Sequence, residues 1–168
     1  MLRAVRRVLF SITVLVVLWF GGRALVRFFA SDATKIRWTV DAMIDGFNTT
    51  RTNPVLDGLD REFLDETFGA DRELVRAACV QLFFQAKDAE TKKFLYRAEW
   101  STKSVSVTKA SGGDPKGECD LDVRFFRRKG EAEEPAWSIL VHATFVERDG
   151  EWRILRSETR TVDGERLR

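Results

Sequence analysis

Phe-Val-Glu-Arg-Asp-Gly-Glu-Trp-Arg-Ile, at residues 145–154, joins two alternating segments through a turn. Its centre, Asp149-Gly150, favours a two-residue hairpin turn because both positions tolerate a positive φ. Trp152 and Ile154 then alternate with charged residues, as on a half-buried strand. The same alternation precedes the turn, with apolar residues at every second position: Trp137, Ile139, Val141, Ala143 and Phe145. The stretch therefore predicts a C-terminal antiparallel hairpin.

Two further segments upstream have the same period of two. Residues 94–107 begin with an apolar face formed by Phe94, Tyr96, Ala98 and Trp100. In residues 118–125 the apolar face comprises Cys119, Leu121, Val123 and Phe125, and acidic residues and an arginine lie between them. Four strands that follow one another along the chain indicate an antiparallel meander.

The segments before these strands have helical spacing instead. A first helix is expected from Ser31 to about Asn48, a short second one from Pro54 to near Gly69, and a third beginning at Asp71. The third is expected to be the most buried, because its apolar flank at residues 77–84 is nearly continuous. Three helices followed by antiparallel strands predict an α+β fold in which the helices cover one face of a curved sheet.

Residues 1–30 differ from the rest of the chain. They carry five arginines and no acidic residue, which leaves 23 basic and 26 acidic residues in the body. Residues 8–22 contain no charge, and the apolar character resumes at residues 24–30 around Arg27. A helix of about 20 residues crosses a bilayer, and arginines near its end can reach the headgroups. The prediction is one transmembrane helix within residues 1–30, a domain at residues 31–162 and a tail at residues 163–168.

Two other interpretations of residues 1–30 are less consistent with the sequence. A cleaved signal peptide needs small residues at its cleavage site, whereas Phe28 and Phe29 are bulky. A helix lying on the membrane surface needs a polar face, and residues 8–22 have none. An uncleaved anchor that contacts membrane lipid through residues 8–30 is therefore favoured.

Charge placement bears on orientation and on partners. Arg3, Arg6 and Arg7 favour a cytoplasmic N-terminus, although the other flank of the anchor is also basic. We expect a single-pass protein of a bacterial inner membrane whose C-terminal domain lies outside the cytoplasm. The mildly acidic body lacks the clustered cations that nucleic-acid binding requires, so no nucleic-acid partner is expected.

The cysteines and histidine do not form a metal motif. Cys79 and Cys119 lie far apart, and the single histidine leaves no spacing typical of a zinc site. We interpret both cysteines as buried thiols. A disulfide between them is the alternative if the body lies in an oxidising compartment. The sequence predicts neither a metal nor a cofactor.

The order of elements resembles that of the NTF2-like superfamily, also called SnoaL-like or cystatin-like. The likeness is carried by residues 45–48 (Asp-Gly-Phe-Asn), by residues 59–64 (Leu-Asp-Arg-Glu-Phe-Leu) and above all by the terminal hairpin at residues 145–154. The resemblance implies a cone, in which a bent antiparallel sheet wraps around N-terminal helices and encloses a pocket. It implies no particular activity, because unrelated functions share this fold.

Enzymes of this family, isomerases and dehydratases among them, place an Asp, His or Tyr inside the cone as acid or base. The weak catalytic candidates here are therefore His142, Asp41 and Tyr96. His142, the only histidine, has a suitable pKa for a general base but needs an orienting partner. Asp41 is more simply explained as part of a solvated helix face and Tyr96 as a core residue, so no catalytic residue is assigned.

Aromatic residues indicate binding instead. Trp38 falls outside the apolar stripe of the first helix and is expected to be exposed, and Trp100 is a second candidate for a ligand or partner surface. The favoured function is a membrane-anchored, non-catalytic binding or assembly module, which binds a lipid-like ligand or a partner protein, either a membrane complex or a second copy of the chain. The alternative is an isomerase- or dehydratase-type enzyme. The enzyme hypothesis requires His142 or Asp41 to line a closed apolar cavity.

Overall fold

Six strands form one mixed sheet in the computed structural model, which describes residues 30–108, 115–130 and 132–167. The strands follow the order β2-β1-β6-β5-β4-β3 across the sheet. Their bounds are Leu59–Asp65 (β1), Ala70–Asp71 (β2), Tyr96–Thr108 (β3), Lys116–Lys129 (β4), Ala132–Arg148 (β5) and Glu151–Gly164 (β6). Strands β3 to β6 form the predicted antiparallel meander.

Three helices accompany the sheet in the described part of the chain, as the sequence predicts. They are α1 (Asp32–Asn48), α2 (Thr52–Asp57) and α3 (Arg72–Gln85). Helix α1 ends in a Schellman arrangement, in which the Arg51 N–H donates to the Gly46 carbonyl and the Thr50 N–H to the Phe47 carbonyl. Asp71 caps α3, as predicted, by accepting the Leu74 N–H at 2.8 Å.

The predicted hairpin between β5 and β6 is present. Asp149 and Gly150 both have positive φ, 57° and 78°, which matches the right-handed twist of the flanking strands. Phe145 and Trp152, on either side of the turn, are 0% and 2% exposed. This hairpin therefore supplies both a turn and part of the core.

The main core lies between α1 and the inner face of the sheet. Ile36 of α1 is fully buried. A Cβ atom added to Gly117 of β4 would lie 2.5 Å from the Cδ1 atom of Ile36. The absence of a side chain at Gly117 thus sets how closely α1 approaches the sheet. The Thr39 hydroxyl also donates to the Trp152 carbonyl at 2.9 Å. The buried members of this core are Ile36, Val40, Leu56, Leu59, Phe63, Cys119, Leu121, Val123, Ile139, Ala143, Phe145, Trp152 and Ile154.

One predicted helix is wrong in part. The short second helix ends at Asp57, and Leu59–Asp65 forms strand β1, which pairs parallel with β6. The apolar residues of β1 lack a period of two, because the register shifts between Leu59 and Leu64 and because Asp60 and Asp65 are buried. The missing alternation is why the sequence of this stretch resembles a helix. The parallel pairing of β1 with β6 makes the sheet mixed instead of purely antiparallel.

Buried Asp65 holds β1 against β6. One of its carboxylate oxygens accepts the Phe68 N–H at 2.8 Å, and the other accepts the hydroxyls of Ser157 and Thr159, each at 2.8 Å. The Ser157 hydroxyl is buried and would otherwise be desolvated with no partner, which is costly in an interior. The hydrogen bonds of the Asp65 carboxylate therefore take the place of some backbone hydrogen bonds that the irregular β1–β6 pair lacks.

Helix α3 is less buried than expected. Only Phe83 of this helix is buried, whereas Leu74, Val80 and Phe84 are exposed. Phe83 packs in a second cluster with Ala86, Phe94 and Tyr96. Only one side of the apolar flank at residues 77–84 therefore packs against the rest of the domain, and the other side is exposed.

The chain divides into one unit at residues 1–31 and a second at residues 32–168. The predicted transmembrane helix and its lipid contacts through residues 8–30 lie outside the described residues, apart from Ala30. Among the residues that are described, no helix has the length and apolar character needed to cross a membrane. Strand β6 extends to Gly164, past the predicted domain end at residue 162. Both cysteines are free thiols: Cys119 lies in the main core and Cys79 beside the second cluster.

We expect Asp65→Ala to lower the free energy of unfolding by about 2 kcal/mol, because it leaves the buried Ser157 hydroxyl without its acceptor and removes the bonds to the Thr159 hydroxyl and the Phe68 N–H. The control is Glu66→Ala, which removes an exposed carboxylate 3.9 Å from Arg156 and should change the unfolding free energy by less than about 0.5 kcal/mol. Urea denaturation followed by tryptophan fluorescence measures both. Equal effects of the two substitutions would contradict the role of Asp65.

Candidate functional site

The outer face of the sheet, opposite the helices, carries an open groove of about 1080 Å³. It arises because β4 alternates strictly: Cys119, Leu121 and Val123 enter the core, and the polar residues between them point outward. β5 and β6 contribute outward residues in the same way. The residues that matter for its chemistry are Asp120, Asp122, Arg124, Leu140, His142 and Arg160.

His142 and Asp120 form the most defined polar contact in this groove. They lie directly opposite each other on β5 and β4, and the His142 Nδ1 atom is 2.8 Å from a carboxylate oxygen of Asp120. The hydrogen bond to Asp120 raises the pKa of His142 above its ordinary value, and the nearby charges of Glu118 and Glu158 act in the same direction. Partial desolvation opposes this shift of the pKa. Asp120 thus provides the orienting partner that a histidine base requires.

The centre of the groove combines apolar and cationic groups. Leu140 is 36% exposed between the strand neighbours Asp122 and Arg160. Asp122 pairs with Arg124 at 3.0 Å, and Val162 at the margin is 59% exposed. A surface with an apolar centre and charges of both signs is typical of protein contact sites.

The inner side of the sheet, which faces the helices, is occupied by side chains. The Phe47 ring makes edge contacts with those of Phe83, Phe94 and Phe125 at centroid distances of 5.4 to 5.7 Å. Trp137 stacks on Phe125 at 5.4 Å. Such aromatic packing fills the end of the cone nearest to the end of α1.

The sequence-predicted catalytic candidates do not come together. Tyr96 is buried in the second cluster, as predicted, and its ring contacts Phe94. Asp41 lies on the exposed side of α1. His142 lies across the sheet from Asp41, with its side chain 49% exposed in the outer groove. Neither His142 nor Asp41 therefore has the closed apolar surroundings that the enzyme hypothesis requires.

Neither of the two predicted tryptophans lines the groove: Trp38 is part of α1, and Trp100 contacts α1 from β3. Trp100 donates its indole N–H to Asp41 at 2.8 Å, which ties α1 to the edge strand β3. The side-chain amide of Asn48 makes two further bonds to the backbone of Ala98, at 2.6 and 2.9 Å. Trp38 is 37% exposed, which confirms the predicted exposure. The bond between Trp100 and Asp41 therefore gives both residues a structural role, which is to hold α1 against β3.

Sequence reasoning found His142 but missed its partner. Asp120 is visible in the sequence as a polar strand residue, yet its position opposite His142 depends on the register of β4 against β5. The signal for this pairing in the sequence was that two consecutive predicted strands both carry polar residues on their outward side. Across residues 30–108, 115–130 and 132–167, no group of His, Cys, Asp or Glu side chains has an arrangement that could hold a metal ion.

Solved structures share this fold at low sequence identity. A Nostoc punctiforme protein of unknown function with a cystatin-like fold is 12% identical, with a TM-score of 0.56 over 77% of this chain and 90% of that one. A putative scytalone dehydratase from Novosphingobium aromaticivorans is 14% identical, with a TM-score of 0.56 over 80% and 88%. A ketosteroid isomerase-like protein from Erwinia carotovora atroseptica is 11% identical, with a TM-score of 0.52 over 80% and 99%.

These likenesses establish the fold alone. The chain shares the cystatin-like fold of these solved structures, with few helices accompanying a curved mixed sheet. No protein-family model and no curated protein matches the sequence. The enzymes among the structural neighbours transfer no activity to this chain.

We expect the pKa of His142 to lie above the ordinary value of about 6.5, and Asp120→Asn to lower it. Since the pKa is raised in the folded state, protonated His142 stabilises the fold below the unfolded pKa, and this contribution is lost as the pH rises through the folded pKa. NMR titration of the imidazole Hε1 resonance reports this residue alone, because the chain has one histidine. Asp122→Asn is the control, and an equal effect of both substitutions would contradict the pairing.

Proposed function

We propose that this chain is a membrane-anchored, non-catalytic module that binds a protein partner through the outer groove of its sheet. The observation that carries the proposal is the contrast between the two faces of the sheet. Aromatic and aliphatic side chains fill the inner face, whereas the outer face presents an open groove of about 1080 Å³. The outer groove is therefore the open surface of the sheet that we propose for binding.

The chemistry of the groove supports a protein partner more than a small molecule. Small-molecule sites are usually enclosed and mostly apolar. Here Leu140 and Val162 are exposed among charged residues, which include Arg124, Arg160 and Glu158. A partner with complementary charges around an apolar contact would suit this surface. The two partners considered are a second copy of the chain and a subunit of a membrane complex.

Membrane anchorage rests on the sequence of residues 8–30. Their apolar run is long enough to span a bilayer if Arg23 and Arg27 reach the headgroups. An anchor would hold the groove close to other membrane proteins and raise its effective concentration towards them. The proposed location is a bacterial inner membrane, with the folded domain outside the cytoplasm.

A second candidate function is favoured by one observation. His142 and Asp120 form a base and an orienting carboxylate, the arrangement that proton transfer by an isomerase or dehydratase requires. The half-exposed position of His142 is unfavourable for such chemistry, since a base in contact with water lacks the dry surroundings that strengthen electrostatic catalysis.

We expect the full chain, expressed in bacterial cells, to resist carbonate extraction from membranes, and its C-terminal domain to be digested by protease in spheroplasts. The control is the double substitution Val14→Arg with Leu15→Arg, which places two charges in the apolar run at a cost of about 3 kcal/mol each. This variant should be recovered in the soluble fraction. A wild-type chain trimmed ahead of Ser31 and free in solution would contradict the anchor.

A second experiment tests the groove. We expect the detergent-solubilised full chain to self-associate in sedimentation velocity, and Leu140→Arg to weaken this association roughly tenfold by placing a cation at the apolar centre. His142→Gln should leave the association at neutral pH intact, whereas it would abolish turnover by an enzyme that uses this base. A strictly monomeric wild-type chain would remove the second copy as partner, and unchanged association of Leu140→Arg would remove the groove.

A further inference from the structure

The outward side of α3 carries a row of exposed apolar side chains. Leu74, Val80 and Phe84 are 53%, 55% and 78% exposed, and Ala77 lies between them, also exposed. Intervals of three, three and four residues place these four positions along one side of a helix. The row therefore forms a continuous stripe, here called the α3 stripe.

The protein itself covers the other side of α3. Phe83 is 7% exposed and packs against Phe47 at a ring distance of 5.7 Å, and Val75 packs against the main core. A helix that is apolar on both sides normally lies between two apolar layers. Single exposed apolar residues are common on protein surfaces, but a contiguous apolar patch marks a contact site.

Cations border the α3 stripe, and the acidic Glu73 lies on the same side of the helix, four residues before Ala77. The Lys87 ammonium group lies 5.9 Å from the centroid of the Phe84 ring. Arg76 lies beside the stripe and pairs with Glu73 at 3.3 Å, with both side chains largely exposed. Aromatic and aliphatic residues flanked by long cationic side chains are typical of helices that lie in the headgroup region of a bilayer.

The start of the folded domain brings the bilayer close. Helix α1 begins at Asp32, so the sequence leaves one residue, Ser31, between the proposed anchor at residues 8–30 and the domain. A domain this close in sequence to its anchor lies at the membrane surface, where lipid is the most abundant neighbour. This argument rests on the membrane anchor of the proposed function.

We propose that the α3 stripe is a second membrane contact, which inserts Phe84, Val80 and Leu74 into the boundary between headgroups and acyl chains. Lys87 then lies at the level of anionic headgroups. Burial of these side chains removes apolar surface from water and orients the domain. The outer groove, which lies on the opposite side of the sheet from the helices, stays accessible to a partner.

The test uses the full chain reconstituted into vesicles of phosphatidylcholine with about 30% phosphatidylglycerol, an anionic content chosen for charged headgroups. A photo-crosslinking benzophenone side chain is placed at position 77, within the stripe, or at position 162 in the outer groove. Position 162 is a matched control, because Val162 is 59% exposed and apolar as well. We expect lipid adducts at position 77 and few at position 162, measured by mass spectrometry of the crosslinked peptides.

Substitutions within the stripe add a second comparison. Phe84→Ser should lower the yield of lipid adducts at position 77 roughly tenfold, since a buried phenylalanine contributes a large part of interfacial binding. Phe84→Leu should retain most of the yield, because the side chain stays apolar. Loss of the yield in both variants, with their circular dichroism unchanged, would contradict the apolar contact.

The remaining outcomes distinguish this proposal from the anchor. A chain that sediments with vesicles but forms equal lipid adducts at positions 77 and 162 overturns the α3 contact alone. Adducts between position 77 and a second chain also overturn it, because the stripe would then be a protein interface. A chain that stays in solution overturns the anchor and this proposal together.

Discussion

The contact between α1 and β4 is the constraint on which the rest of the structure depends. Ile36 is fully buried against Gly117, where a Cβ atom would leave no room for it, and the Trp152 ring lies on the same site. Because interiors are packed as densely as organic crystals, this close approach leaves little free volume between α1 and the sheet. The terminal hairpin supplies both Phe145 and Trp152, so the turn that forms it and the core that α1 completes are parts of one arrangement.

The two faces of the sheet differ in what they display. On the inner face, the rings of Phe47, Phe125 and Trp137 pack together near the end of α1. Charged and polar residues are displayed on the outer face, where they form ion pairs among themselves and border the exposed Leu140. Surface ion pairs of this kind contribute little to stability. Their arrangement around an accessible apolar centre agrees better with recognition than with support of the fold.

Asp60 and Asp65 show why one element could not be predicted from sequence. Apolar periodicity identifies a strand only if its inward residues are apolar, and β1 buries two aspartates instead. Asp65 is stabilised by hydroxyl groups of β6, about ninety residues away along the chain, and the Asp60 carboxylate lies 3.5 Å from Arg148 at the end of β5. No local pattern encodes partners that distant, because their proximity depends on the parallel pairing of β1 with β6.

The sequence by itself determined the strand meander, the first and third helices, the Asp149-Gly150 hairpin and the exposure of Trp38, since all of these follow from local periodicity, turn chemistry and capping. Only the tertiary structure decided that residues 59–65 form a strand, that His142 pairs with Asp120, and that α3 keeps one apolar side in solvent. The physical reason is the same for each. Register between strands and the side on which a helix packs are settled by residues distant in the chain, whose burial outweighs local propensity.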